Sequence, residues 1–180
     1  MHRYHFSALL VATLAACGGQ ARGPGGGELE SPAATARLVD STGANVGVAT
    51  LSDSGGATRL SVSVTGLAPG THGMHVHEMG TCTPPDFQSA GGHYNPDGKK
   101  HGTRNPEGPH VGDLPNLVVE ADGSADTTLE VSSGLLAEGP ASVLGAQPRT
   151  LVIHADPDDE KTDPSGNSGA RVVCGVIERG

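Results

Sequence analysis

Residues 57–66, ATRLSVSVTG, set Leu60, Val62 and Val64 between Arg59, Ser61, Ser63 and Thr65. Strict alternation puts every apolar side chain on one face of a strand and every polar one on the other, so this stretch predicts a half-buried strand. Apolar runs at about 34–40, 45–51, 71–78, 116–121, 125–131, 149–154 and 171–178 predict seven more, separated by Gly, Pro, Asp and Asn turns such as APG and ADG. No stretch combines helical spacing of apolar residues with capping residues, and no internal repeat is present. The expected fold is all-β: eight strands in a Greek-key sandwich or flattened barrel. Two segments, 79–115 and 155–170, lack strand character. Loops of that length in a compact domain are usually functional or disordered.

The beginning of the chain follows a different pattern. MHRYHFSALLVATLAAC opens with a short basic and polar stretch, then an apolar run of signal-peptide length, well short of a membrane span. Its end, LAAC, resembles the lipobox of bacterial lipoproteins, which implies cleavage after residue 16 and lipid on Cys17. Several acyl chains on one cysteine anchor a protein stably where one is marginal. Gly18 leans, by the same resemblance, toward the outer membrane, facing the periplasm. Residues 17–30 are glycine-rich without apolar periodicity and read as a flexible tether spanning roughly 20 Å. Residues 31–180 form one domain's worth of chain.

Composition narrows the function. Removing residues 1–16 takes away Arg3 and no acid, leaving ten basic against twenty acidic residues. Such an excess of negative charge argues against nucleic acid as a partner. Phe87 and Tyr94 are the only aromatic residues beyond the leader, so the core must be aliphatic. With Cys17 lipidated, Cys82 and Cys174 remain, and an exported protein makes a disulfide between them the default.

The histidines carry the chemistry. HGMHVH holds His72, His75 and His77, and the last two project from one face if the stretch is a strand. His93 in GGHYNP, His101 in KKHG, His110 in GPHVGD with Asp113, and His154 ending RTLVIH gather about the first long loop and a strand end. Singly, each would more often be an ordinary hydrogen-bonded histidine; together they point to metal. Imidazole suits zinc and copper alike, a carboxylate can complete tetrahedral zinc, and four histidines suit tetragonal copper(II).

The ordered series HGMHVHE, GGHYNP, KKHG, GPHVGDLPNL, RTLVIH and GARVVCGVI closely resembles the copper/zinc superoxide dismutases from about residue 34 onward. That family is itself a known case of the β-sandwich, of electrostatic steering and of diffusion-limited turnover. The resemblance implies copper on His75, His77, His93 and His154, and zinc on His93, His101, His110 and Asp113, with His93 shared. It implies that Asp158 ties a copper histidine to a zinc histidine, that His72 supports the site, and that Cys82 and Cys174 are joined. Arg171 matches the arginine beside the copper, which guides and hydrogen-bonds superoxide, a small monoanion. The implied reaction converts superoxide to O2 and hydrogen peroxide by copper redox cycling, with His93 carrying a proton.

This chain departs from many relatives in DPDDEKTDPSGNSGA, a short segment with one lysine among five acids, so a long steering loop does not carry over. Lys99, Lys100 and Lys161 could contribute positive field or simply be solvated. TCTPPDFQSAGGHYNP looks like the bacterial branch of the family, and assembly differs between branches, leaving a homodimer open. The alternative function is a non-enzymatic envelope carrier of copper or zinc on the same fold. It predicts loss of a copper ligand, of His93 or of Arg171, and all are present.

Overall fold

The structure, a computed structural model, describes residues 33–131, 135, 136, 139 and 142–180 together with Met1; the rest of the leader, Cys17 and the tether lie outside the described residues. Among the described residues nine strands follow one another: β1 (Ala34–Asp40), β2 (Asn45–Ser54), β3 (Ala57–Val64), β4 (Gly70–His72), β5 (Met74–His77), β6 (Leu117–Val119), β7 (Ala125–Val131), β8 (Arg149–His154) and β9 (Arg171–Arg179). Seven make one curled antiparallel sheet in the order β5-β8-β9-β1-β2-β3-β7, while β4 and β6 pair separately. The first and last strands are neighbours, with Ala34 opposite Arg179 and Asp40 opposite Val173.

The alternation read from the sequence of β3 is the burial pattern observed, with Thr58, Leu60, Val62 and Val64 buried. Ser54 and Ala57 close the β2–β3 hairpin across Gly55 and Gly56, whose φ of 67° and 101° suit the two-residue turn that matches strand twist. The main core is aliphatic, built on Leu38, Leu51, Leu60, Val62, Leu151, Ile153 and Ile177 from the sheet. Leu135 and Val143, from the connection between β7 and β8, are buried in it as well.

The 71–78 run is two strands rather than the single one expected. Gly73 divides it: its N–H donates to Asp156 O at 2.8 Å and its carbonyl accepts from His154 N at 2.8 Å. A Cβ there would press on Ser168 Cβ and Asp158 Cβ, so the 155–170 segment can lie against the backbone only because the residue is glycine.

β5 and β8 are buried on both faces. Met74, Val76, Leu151 and Ile153 enter the aliphatic core. Their alternates, His75, His77, Val152 and His154, turn to the opposite face, where the two long loops cover them. There Val152 packs with Phe87, Ala90 and Cys174 in a second, smaller cluster. The metal candidates therefore sit outside the barrel wall and beneath the loops.

Candidate metal centre

The first loop is laid along β5 by backbone pairing. Tyr94 N donates to Val76 O, Val76 N to Gly112 O, and Gly112 N to Tyr94 O, each at 2.8 Å. A Cβ on Gly112 would collide with Val76 O, so glycine permits the close approach. This registers His93 opposite His77 and Asp113 opposite His75.

Four histidines converge: His75, His77, His93 and His154 each offer a ring nitrogen within 4.8 Å of the others. Backbone carbonyls and one carboxylate fix which nitrogens these are. His77 Nδ1–H donates to Gly91 O at 3.0 Å, and His154 Nδ1–H to Gly169 O at 3.2 Å, leaving the two Nε2 lone pairs 3.4 Å apart. His75 gives its Nε2–H to Asp158 Oδ2 at 2.7 Å, freeing Nδ1. Among the described residues His75 Nδ1 and His93 Nε2 are buried without a hydrogen-bond partner. Buried polar atoms are ordinarily paired, so four uncommitted nitrogens facing one another fit a cation.

A second group forms around Asp113 Oδ1, approached by Nδ1 of His93 at 3.1 Å, of His101 at 3.0 Å and of His110 at 3.2 Å. The four residues here whose ligand atoms all lie within 4.8 Å of one another are His75, His93, His101 and Asp113, a set without His110. His110 touches Asp113 Oδ1 through Nδ1, whereas His75 gives its Nε2–H to Asp158 and keeps Nδ1 for the first group. The other oxygen, Asp113 Oδ2, accepts from Gly102 N at 2.8 Å and His110 N at 2.9 Å. Three imidazoles and a carboxylate are a donor set that zinc accepts. The His93 ring thus belongs to both groups, one nitrogen to each.

Asp158 joins the groups from behind, accepting from His75 on Oδ2 and, at 2.9 Å, from His101 Nε2 on Oδ1. Asn116 fixes the backbone of Asp158, its amide donating to Asp158 O and its carbonyl accepting from Asp158 N, both at 2.9 Å. His72 lies outside both groups, with its ring nitrogens 2.7 Å from His154 O and 2.8 Å from Ala68 O.

The electrostatics separate the two sides. Burial disfavours the charged ring and pushes His77 down to about 2, His154 to about 3 and His93 to about 4; His75 is lowered for the same reason. Burial opposes charge on His101 too, but its hydrogen bonds to Asp113 and Asp158 prevail and raise it to about 9. Burial would raise both carboxylates, yet the histidine hydrogen bonds hold Asp113 and Asp158 well below the usual range.

A cavity of about 280 Å³ opens over the four-histidine group, with Arg171 at its wall. The guanidinium donates to Phe87 O and Gly91 O, both at 2.7 Å. Gly91 O therefore holds Arg171 and His77 at once. Phe87 adopts φ 53°, a conformation costing a non-glycine residue about 1–3 kcal/mol, and its wholly buried ring offsets that strain. Cys82 and Cys174 form a disulfide, with Cα atoms 5.7 Å apart, pinning the same loop to β9. Lys100, one of the lysines weighed for a positive field, is paired with Asp163 at 3.2 Å.

Several contributors escape a reading of the sequence. Gly91 O, Phe87 O and Gly169 O act through backbone carbonyls, which no side-chain motif marks. Asp163 accepts from His101 N at 2.8 Å, and Asn116 grips Asp158 across 42 residues of sequence. The paired glycines before His93 are the one local hint, since Gly91 sits at φ 74° with Glu78 and Met79 where a Cβ would lie.

Comparison with known proteins shows the family. A match to the copper/zinc superoxide dismutase (SODC) family extends over residues 45–177. Copper-zinc superoxide dismutase 2 of Aquifex aeolicus is 42% identical over 146 residues, 80% of this chain and 85% of its own. The copper-zinc superoxide dismutase of Deinococcus radiodurans is 43% identical over 166 residues, 84% of this chain and 87% of its own. Among solved structures, a double mutant of a superoxide dismutase-like protein from Bacillus subtilis superposes with a TM-score of 0.76 at 43% identity, covering 79% of this chain and 95% of that one. The Cu/Zn superoxide dismutase of Brucella abortus gives 0.66 at 35% identity, covering 80% and 98%.

Proposed function

The chain belongs to the copper/zinc superoxide dismutases, oxidoreductases whose cofactors are copper and zinc, and from that premise we propose how its own residues divide the work. His75, through Nδ1, and His77, His93 and His154, through Nε2, would hold copper; His93, His101 and His110, through Nδ1, and the carboxylate of Asp113 would hold zinc. The observation that carries this reading is the sorting of ring nitrogens. Each histidine of the first group has one nitrogen committed to a carbonyl or carboxylate and the other turned inward.

Copper held there would supply one-electron redox chemistry, by which two superoxide ions and two protons give O2 and hydrogen peroxide. The protein does the rest. Arg171, held by two carbonyls, keeps a fixed positive charge beside the cavity and draws in a monoanion that the acidic chain as a whole repels. His93, at the Nε2 that is buried without a hydrogen-bond partner, would hold and release one of these protons when copper does not occupy that atom, and water would supply the other. Asp158 and the carbonyls of Gly91 and Gly169 fix the tautomers of His75, His77 and His154, so that the inward nitrogens stay unprotonated.

The test is the rate of superoxide decay per bound copper in protein loaded with both metals, beside the metal-free protein. A fast rate supports the reading. A rate no greater than that of the metal-free protein, with copper occupancy verified, favours the envelope metal carrier instead.

The leader motif extends the proposal to place: LAAC supports lipid on Cys17 and attachment to a bacterial envelope membrane, periplasmic side. Incorporation of labelled fatty acid, lost in Cys17→Ser, is the check. Its absence in the unaltered chain refutes the anchor.

A further inference from the structure

Among the described residues, two cavities with no lining residue in common reach the histidine cluster. One, about 280 Å³, touches His77, His93, His154 and Arg171. The other, about 390 Å³, touches His110 and Asp113 and is edged by Asp97, Lys99 and Glu130. The His93 ring stands between the groups, with Nδ1 toward Asp113 and Nε2 toward the four histidines. His101, wholly buried against Asp158, offers no passage on that side.

The openings differ in sign. Apart from histidine, Arg171 is the charged residue lining the first, whereas Asp97 and Glu130 outnumber Lys99 at the second. A positive mouth draws in a small anion and repels a divalent cation, and a negative mouth does the reverse. Of the three rings around Asp113, His110 is the one that lines this second cavity, its Nδ1 turned inward to the carboxylate.

We propose that zinc enters and leaves through the second cavity, past His110, by a route separate from the copper cavity, and that Asp97 and Glu130 draw the cation in. This rests on the reading of His93, His101, His110 and Asp113 as zinc ligands. Substrate traffic and zinc traffic then use different doors of opposite charge.

Full-length protein loaded with both metals is mixed with excess 4-(2-pyridylazo)resorcinol, and zinc release is followed by the colour of the chelate. Lys99→Trp plugs the second cavity and Gln88→Trp the first; both positions are exposed. Lys99→Trp also removes a positive charge, which by itself favours a cation at that mouth, so slower exchange in this variant reports obstruction. The expected result is zinc release slowed about tenfold by Lys99→Trp and within about twofold of the parent in Gln88→Trp. Equal slowing by the two variants, slowing by Gln88→Trp alone, or no slowing by either overturns the route.

Uptake tests it independently. In metal-free protein Asp97→Asn with Glu130→Gln should slow zinc uptake severalfold at low salt, the difference shrinking as salt screens the mouth. An unchanged uptake rate overturns the steering role. Zinc content after acid release isolates the underlying assignment: His110→Ala holding as much zinc as the parent refutes the ligand reading itself, whatever the route.

Discussion

Asp158 receives His75 on one carboxylate oxygen at 2.7 Å and His101 on the other at 2.9 Å, so a single side chain orients a ring in each histidine group. Asp158→Asn replaces one acceptor with an amide that cannot accept, and one ring loses its tie. The affinity for copper and for zinc should each fall about 10–100-fold, measured by competition with chelators of known strength. Gly166→Ala should produce a milder form of the same loss, because Gly166 has φ 63° and a Cβ would run into Asp158 Oδ1. Unchanged affinity for both metals in Asp158→Asn would show that the bridge orients nothing.

Arg171→Ala should lower kcat/KM for superoxide about tenfold or more while metal content stays at the parent level. Arg171→Lys should retain part of the rate, since the charge remains but a point ammonium cannot reproduce the two-pronged bond to Phe87 O and Gly91 O. The rate of the parent should also fall with added salt more steeply than that of Arg171→Ala. Equal salt slopes would remove the steering role.

How far these roles could be read beforehand depended on whether the signal was local. The inward face of β3 was plain from Leu60, Val62 and Val64, because one side of that strand meets solvent. β5 and β8 carry no such contrast: both faces are covered, so the sequence marked them as strands and put His75 and His77 on one face without showing which face meets the core. The division at Gly73 was invisible because its cause, the packing of Ser168 and Asp158 on the backbone, lies more than 80 residues away. The candidate ligands themselves were legible, since histidine and aspartate advertise their chemistry. The atoms that choose among their nitrogens were not, being carbonyls of Gly91 and Gly169 that any sequence supplies.

The disulfide joins residues 92 apart. Cys82→Ser should cost about 4–5 kcal/mol if chain entropy dominates, seen as a lower denaturation midpoint in urea with a changed slope as the unfolded chain expands. Because Phe87 and Gly91 sit in the pinned loop, superoxide turnover should fall too, even where the variant is folded. Full turnover in a folded Cys82→Ser protein would show that the loop keeps the Arg171 carbonyls in place unaided.

Acid should destabilise the metal-free protein earlier than carboxylates alone would. His77, His93 and His154 bind protons more weakly folded than unfolded, so the unfolded state takes up more protons below about pH 6.5. Stability is then lost as pH falls from about 6.5 toward 4, at about 1.4 kcal/mol per pH unit for each ring. His101 has the opposite sign: raised to about 9, it stabilises the fold below its unfolded value and ceases to do so as pH climbs through 9. Urea midpoints from pH 4.5 to 9.5 should therefore peak between these limits, and a flat profile from 7 to 4.5 would contradict the buried, neutral state of the three rings.

The pairing of β1 with β9 also gives the molecule a direction. Ala34 lies beside Arg179, while Arg171 begins the same strand at its other end, about 25 Å away at strand rise. The domain's first strand therefore begins at the end of the sheet opposite Arg171. Whatever holds the chain ahead of Ala34 attaches at the end of β1 and β9 away from Arg171 and leaves that mouth unobstructed by the attachment itself.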